Sequence, residues 1–232
     1  MPSKHTLYYN LLDALAKPGC ACCTLAIGAV NRYLEGLLYE YVNDGAVQRT
    51  WIAAHGLCPT HSEVLLNLHG SALGVAILYR VILRHLMEEL QNEKEEKGAL
   101  AQRLPHWFGS TTEASTLAAH EPCPACRIRD EGTTRTIEMF AYHGEDPELI
   151  AALRQSEGFC LPHLQRVKAL VTGPAGRVIW QHQLDAWRNL ESQLEEFIRK
   201  SDYRFRHEGL APGEGESWRN AVQATVGSRL VF

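Results

Sequence analysis

The apolar positions of this chain recur at spacings of three and four residues, which is the period of an amphipathic α-helix. The clearest example begins at a cysteine pair and contains Cys23, Ile27, Val30, Leu34, Leu37, Leu38 and Tyr41. A sustained alternation with a period of two residues, which would indicate strands, is not found in the sequence. The pattern therefore predicts an all-α fold, organised as a helical bundle.

Four short residue pairs stand out because each joins a cysteine to a cysteine or histidine three positions later. Six of the seven cysteines belong to them. The pairs are Cys20 with Cys23, Cys58 with His61, Cys123 with Cys126 and Cys160 with His163. In a reducing compartment such pairs indicate metal ligation or thiol chemistry and not a disulfide framework.

The order of these pairs predicts an internal duplication. C-x-x-C and then C-x-x-H occur twice, and scattered identities such as Asp44 with Asp146 and Gly56 with Gly158 keep the same order. We predict two helical repeats at 17–97 and 120–201, joined by a linker at 98–119. An N-terminal helix at 1–16 precedes them, and a C-terminal linker with a short helix at 202–232 follows.

Local signals place helix boundaries within each repeat. Asp44 and Asp146 stand where an N-cap is expected, and Pro147 suits a first helical position. Glycine turns at 70–74 and 173–176 lead into long helices predicted at about 72–97 and 175–201. Both end helices are expected to pack on the repeats, since their apolar faces would otherwise be exposed.

The ligand pairs predict two metal sites. Ligands at i and i+3 in the first turn of a helix point to the same side, so each pair can present two donors to one ion. We expect each repeat to combine its own two pairs, giving Cys20, Cys23, Cys58 and His61 in one site and Cys123, Cys126, Cys160 and His163 in the other. Three thiolates and one imidazole match tetrahedral zinc, two ions per chain. Two iron–sulfur clusters held by the same ligands are the alternative.

Three further residues have a less specific reading. Cys22 has no counterpart, because Ala125 takes its place, and we interpret it as a packed thiol. Glu35 and Glu138 recur at matching positions of the first helix. They either form surface ion pairs or accept the ring N–H groups of the ligand histidines, which would orient those rings.

Charge and motifs restrict the function. The net charge of −4 makes nucleic acid an unfavourable partner, and the apolar stretches are too short to span a membrane. The N-terminus shows no secretory signal, so we expect a cytoplasmic protein. No P-loop, H-E-x-x-H or E-x-x-H motif occurs, which leans against an enzyme, and no catalytic residue is predicted.

A resemblance rests on the segments 33–44, 56–61, 121–126 and 158–163. They resemble an uncharacterised prokaryotic family with paired C-P-x-C and G-F-C-x-x-H motifs. The resemblance implies a bacterial or archaeal domain of unknown function and supplies no substrate or reaction. At Cys20-Ala-Cys-Cys23 the chain departs from the motif, because proline is missing and a cysteine is added.

These observations predict a non-enzymatic, zinc-binding tandem-repeat scaffold or interaction protein with an unidentified protein partner. An iron–sulfur protein for electron transfer or oxidant sensing is one alternative. A zinc-stabilised nucleic-acid regulator is another. The sequence leaves open the metal, the partner, the oligomeric state and whether the two repeats enclose a shared pocket.

Overall fold

The computed structural model describes residues 4–101, 118–228 and 231, with the side chains of 93–101 excepted. All regular secondary structure in this part of the chain is helical. The helices are α1 (Thr6–Leu15), α2 (Ala21–Gly36), α3 (Gly45–Ala53), α4 (Pro59–Leu66), α5 (Ala72–Ala101), α6 (Pro124–His143), α7 (Pro147–Gln155), α8 (Leu161–Leu170), α9 (Gly173–Ser201) and α10 (Ser217–Val226). A π-helical turn, Leu37–Tyr41, extends α2, and a 3-10 turn, Arg206–Glu208, follows α9. The all-α prediction is confirmed.

The predicted caps begin two of these helices. An oxygen of Asp44 accepts hydrogen bonds from the backbone N–H groups of Ala46 and Val47, both at 2.9 Å. Asp146 does the same for Glu148 N at 2.9 Å. Each aspartate satisfies donors that the first helical turn leaves without a helical partner, so α3 and α7 begin where the sequence predicts.

The helices form two units. Unit 1 contains the described residues up to Val30 together with those from Arg129 onward, and unit 2 contains Asn31–Ile128. Each unit therefore takes residues from both predicted repeats. Most of the predicted linker at 98–119 lies outside the described residues.

Unit 1 encloses an aromatic and aliphatic core. Tyr8 and Leu11 of α1 are fully buried. The rings of Phe140 and Phe159 meet edge to face at 5.1 Å. Helix α1 packs on α7, and α10 packs on α8 and α9, as expected for end helices with one apolar face.

Unit 2 is built around Trp51, which is 1% exposed. Its indole N–H donates to the hydroxyl of Tyr33 at 3.0 Å, and its ring meets Tyr79 edge to face at 6.2 Å. Helix α3 packs on α5. This core holds the start of α4 in place, because Tyr79 also contacts the turn at Gly56.

Among the described residues, no helix is long and apolar enough to cross a membrane.

Candidate metal centres

Unit 1 contains the first site, formed by Cys20, Cys23, Cys160 and His163. The Nδ1 atom of His163 lies 3.5 Å from Cys20 Sγ, 3.4 Å from Cys23 Sγ and 3.2 Å from Cys160 Sγ. The sulfurs of Cys23 and Cys160 are 3.7 Å apart. Three thiols and one ring nitrogen therefore point at a common centre.

Unit 2 contains the second site, formed by Cys58, His61, Cys123 and Cys126. His61 Nδ1 lies 3.2 Å from Cys58 Sγ, 3.6 Å from Cys123 Sγ and 3.4 Å from Cys126 Sγ. The sulfurs of Cys58 and Cys126 are 3.7 Å apart. Corresponding distances in the two sites differ by no more than 0.1 Å.

These separations fit a single tetrahedral ion. With metal–sulfur bonds of about 2.3 Å and metal–nitrogen bonds of about 2.0–2.1 Å, tetrahedral angles separate two sulfurs by about 3.8 Å and sulfur from nitrogen by about 3.5 Å. In the structure one pair of sulfurs in each site is 3.7 Å apart, the sulfur-to-nitrogen distances are 3.2–3.6 Å, and all donor atoms of a site lie within 4.8 Å of one another. Each group of four could hold a metal ion without rearrangement.

Helix N-termini present all eight ligands. Cys58 and Cys160 are the N-caps of α4 and α8, and Cys20 and Cys123 each stand one residue before α2 and α6. The second ligand of each pair follows three positions later, in the first helical turn. The positive end of a helix dipole stabilises a thiolate there. The first site thus joins the start of α2 to that of α8, and the second joins α4 to α6.

The predicted partnership of the ligand pairs is wrong. We expected the C-x-x-C pair of each repeat to meet the C-x-x-H pair of the same repeat. The structure instead joins Cys20 and Cys23 to Cys160 and His163, and Cys58 and His61 to Cys123 and Cys126. The physical reason is that the start of α2 packs in the core of unit 1, beside Phe159 and Leu164 around the start of α8.

The three thiols of the first site resist simultaneous ionisation. The hydrogen bond with Cys160 holds the pKa of Cys20 well below its usual range. The bond with Cys20 raises the pKa of Cys160 to about 12. The pKa of Cys23 is raised further, chiefly by its bond with Cys160. Since each thiolate opposes the next, a cation is the group whose charge would offset three of them.

Comparison with known proteins gives a family but no activity. The model of DUF6062, a family of unknown function, matches residues 5–228. The chain belongs to this family. An uncharacterised 23.9 kDa protein in the xynA 3' region of Caldicellulosiruptor sp. (strain Rt8B.4) is 24% identical over 232 residues, covering 94% of this chain and all of that protein. No solved structure matches the chain.

Two glycine turns, each two residues before a C-x-x-H pair, position these pairs in this DUF6062 chain. Gly56 and Gly158 have φ values of +89° and +82°, which side-chain-bearing residues rarely adopt. A Cβ on Gly158 would lie 2.8 Å from Gln183 Oε1, and one on Gly56 would lie 3.1 Å from the Tyr79 hydroxyl. The backbone conformation favours glycine at both positions, and at Gly158 an added Cβ would also displace the Gln183 side chain.

Gln183 is a supporting residue that the sequence did not reveal. It is 1% exposed, and its Oε1 accepts the backbone N–H of Phe159 at 2.8 Å, directly before Cys160. It thereby fixes the turn that presents Cys160. The predicted duplication could not point to Gln183, because the corresponding position of the first repeat is Val81.

Val231 and Ser228 contact the first site, and sequence reasoning also missed these contacts. Val231 packs on Cys23, Ala26 and Cys160, and its carbonyl accepts from Arg129 Nη1 at 2.7 Å. The backbone of Ser228 hydrogen-bonds to Cys23. Segment 228–231 carries no repeat counterpart, so sequence spacing could not point to it.

The other singled-out residues have plainer surroundings. Cys22 is fully buried in the core of unit 1, as expected of a packed thiol, and its side chain hydrogen-bonds to Cys20. Glu35 is exposed and Glu138 is half-buried. Their role beside the ligand histidines stays a prediction.

Proposed function

We propose that this chain is a zinc-stabilised, non-enzymatic interaction protein that binds one zinc ion at each Cys3His site. The observation that carries the proposal is the set of donor separations, which suits one tetrahedral ion of zinc's bond lengths at both sites. Three thiolates with one imidazole are a ligand set that zinc uses for structural purposes.

The closed ligand set supports a structural and not a catalytic role. Four protein donors fill a tetrahedral ion, so no position remains for a water molecule to be activated. Each ion would instead tie two helix N-termini together. The binding free energy of such an ion adds to the free energy of unfolding.

The same separations disfavour an iron–sulfur cluster. Within each site every donor atom lies within 4.8 Å of every other. A cluster distributes its protein ligands over two or more irons and places inorganic sulfide between them, which requires a wider arrangement of the four donors. A single ion needs no such widening.

Metal analysis and an absorption spectrum of one anaerobically purified sample test the proposal. We expect about two zinc ions per chain and a colourless solution. A brown sample that contains iron and sulfide and is bleached by dithionite would contradict the zinc proposal and indicate an electron-transfer or sensor protein. Metal-free protein with unchanged thermal unfolding would contradict metal stabilisation.

A further inference from the structure

Unit 1 contains a cavity of about 420 Å³ beside the first site. Its wall is formed by the turn between α7 and α8, one face of α9, part of α10 and the residues before α2. Cys20 and Cys160 belong to this wall, so the cavity adjoins two ligands of the first site. Its volume is in the range of small ligand pockets, roughly 300–1,000 Å³.

Side-chain carboxamides dominate the polar lining. They are Gln155, Asn189, Gln193, Asn220 and Gln223. Within the described part of the chain, no hydrogen bond engages any of these five amide groups. Each amide offers an acceptor oxygen and two donor hydrogens, so the cavity presents a set of hydrogen-bonding groups to a ligand.

The charged groups at the cavity do not select an ion. The cavity wall carries one cationic side chain, Arg154, and two anionic ones, Glu157 and Asp185. Glu157 already accepts the backbone N–H of Gly19 at 2.8 Å, and Asp185 accepts from Arg188 at 3.0 Å. Burial lowers the pKa of His182, which favours the neutral ring. A neutral ligand with donors and acceptors matches this balance.

Ser156 and His182 do not form a nucleophilic pair. The Ser156 hydroxyl donates to the carbonyl of Leu153 at 2.7 Å, and a carbonyl can only accept. The hydroxyl oxygen must therefore accept from His182 Nε2, at 3.3 Å, as it does from Gly158 N at 3.2 Å. The histidine does not withdraw the serine proton, so the cavity is suited to binding and not to hydrolysis.

The spacing of two amides matches an extended polypeptide. Asn189 and Gln193 are four residues apart on α9, a rise of about 6 Å. Backbone amides that face the same side of an extended peptide recur every two residues, or about 6.6 Å. Asn220 and Gln223 lie on α10 in the same cavity wall. Amide side chains on two helices can thus pair with backbone N–H and C=O groups of one strand.

We propose that this cavity binds a short, uncharged, extended peptide segment of a partner protein through its backbone. The inference rests on the interaction role proposed above and names the chemistry of the partner. Backbone recognition explains why the lining is rich in amides and poor in unbalanced charge.

Side-chain amide NMR of the isotope-labelled, metal-loaded full chain tests this. The probe is a mixture of capped pentapeptides composed of Ala, Ser, Thr, Val and Leu. We expect saturable shifts of the Asn189 and Gln193 NH₂ signals, and at least tenfold weaker binding by the Asn189→Ala/Gln193→Ala variant. Gln165→Ala removes an exposed amide of α8 outside the cavity and should bind as the parent does.

A backbone N-methylated version of the same mixture is the matched control ligand, and it should fail to bind. Equal binding of the methylated mixture, or unchanged binding by the double variant, would overturn the inference, as would the absence of saturable shifts at millimolar peptide. Zinc content measured on the same sample separates the two proposals. Two zinc ions without peptide binding would overturn this inference alone, and peptide binding without zinc would overturn the metal assignment alone.

Discussion

The two candidate metal sites have the same donors and nearly the same distances, yet their surroundings differ. In the first site Cys23 and Cys160 are buried and only Cys20 is half-buried, whereas Cys58, Cys123 and Cys126 of the second site are all half-buried. Val231 also packs on Cys23 and Cys160 of the first site. The helix N-termini therefore set the geometry of the four donors, while access to each site depends on what packs over it.

Removing one ligand from either site should have the largest effect. We expect Cys160→Ser and Cys58→Ser each to lower the metal content from two ions to one. Each should also reduce the free energy of unfolding by about 3–5 kcal/mol, a fraction of the roughly 10–16 kcal/mol that a structural zinc contributes. Metal analysis and denaturant unfolding measure both quantities.

Cys22→Ala is the matched control for these variants, because Cys22 is a buried cysteine outside both ligand groups. It should keep both ions and lose only about 1–2 kcal/mol from the small cavity that it leaves. Full metal content in either serine variant would refute the ligand assignment.

Replacing the glycine of either turn by alanine should cause an intermediate loss of stability, and the loss should differ between the two sites. Gly158→Ala forces a positive φ on alanine, costing about 1–2 kcal/mol, and also pushes on Gln183. Gly56→Ala carries the same backbone cost but meets Tyr79 at a longer distance. We therefore expect the larger loss of stability from Gly158→Ala, measured by thermal unfolding.

Gly36→Ala provides the reference for that pair. Gly36 is helical, and no atom lies within 4 Å of an added Cβ. It should be neutral or stabilising by up to about 1 kcal/mol. Equal effects of the substitutions at Gly56 and Gly158 would show that Gln183 does not hold the turn.

The rate at which a chelator removes metal should show the smallest difference between the two sites. We expect a chelator to empty the second site roughly tenfold faster than the first, which corresponds to about 1.4 kcal/mol in the free energy of local opening. Arg129→Ala should accelerate loss from the first site several-fold, because it removes the bond to Val231. The rates can be followed separately if cadmium-113 resonances are resolved for the two sites.

Arg135→Ala is the control, since Arg135 is an exposed arginine on the same helix that pairs with Glu131. It should leave both rates unchanged. Faster loss from the first site than from the second in the parent chain would show that burial of the thiols does not govern access.

The sequence predicted much of this arrangement. Helical periodicity and the Asp44 and Asp146 caps placed the elements, and the i, i+3 pairs identified the residues that form the two Cys3His groups. The duplication itself stays a prediction. The sequence could not predict which pairs share a site. Each pair stands at a helix N-terminus, and either C-x-x-H pair would give either C-x-x-C pair the same three thiols and one imidazole. Only the packing of α2 in unit 1 decides which pairs meet.

The contacts of Gln183 and Val231 could not be predicted from the sequence either. Both act through tertiary contacts with residues beside the first site, and neither belongs to a recurring motif. Their roles depend on where α9 and the C-terminal segment lie, which periodicity does not specify.

A two-dimensional ¹H–¹¹³Cd correlation spectrum of the cadmium-substituted chain tests the exchanged pairing of the ligands. We predict two cadmium resonances. One should correlate with the β protons of Cys20, Cys23 and Cys160, and the other with those of Cys58, Cys123 and Cys126. A resonance that correlates with Cys20, Cys23 and Cys58 together would contradict the account, since it would place the ligands of one repeat around one ion.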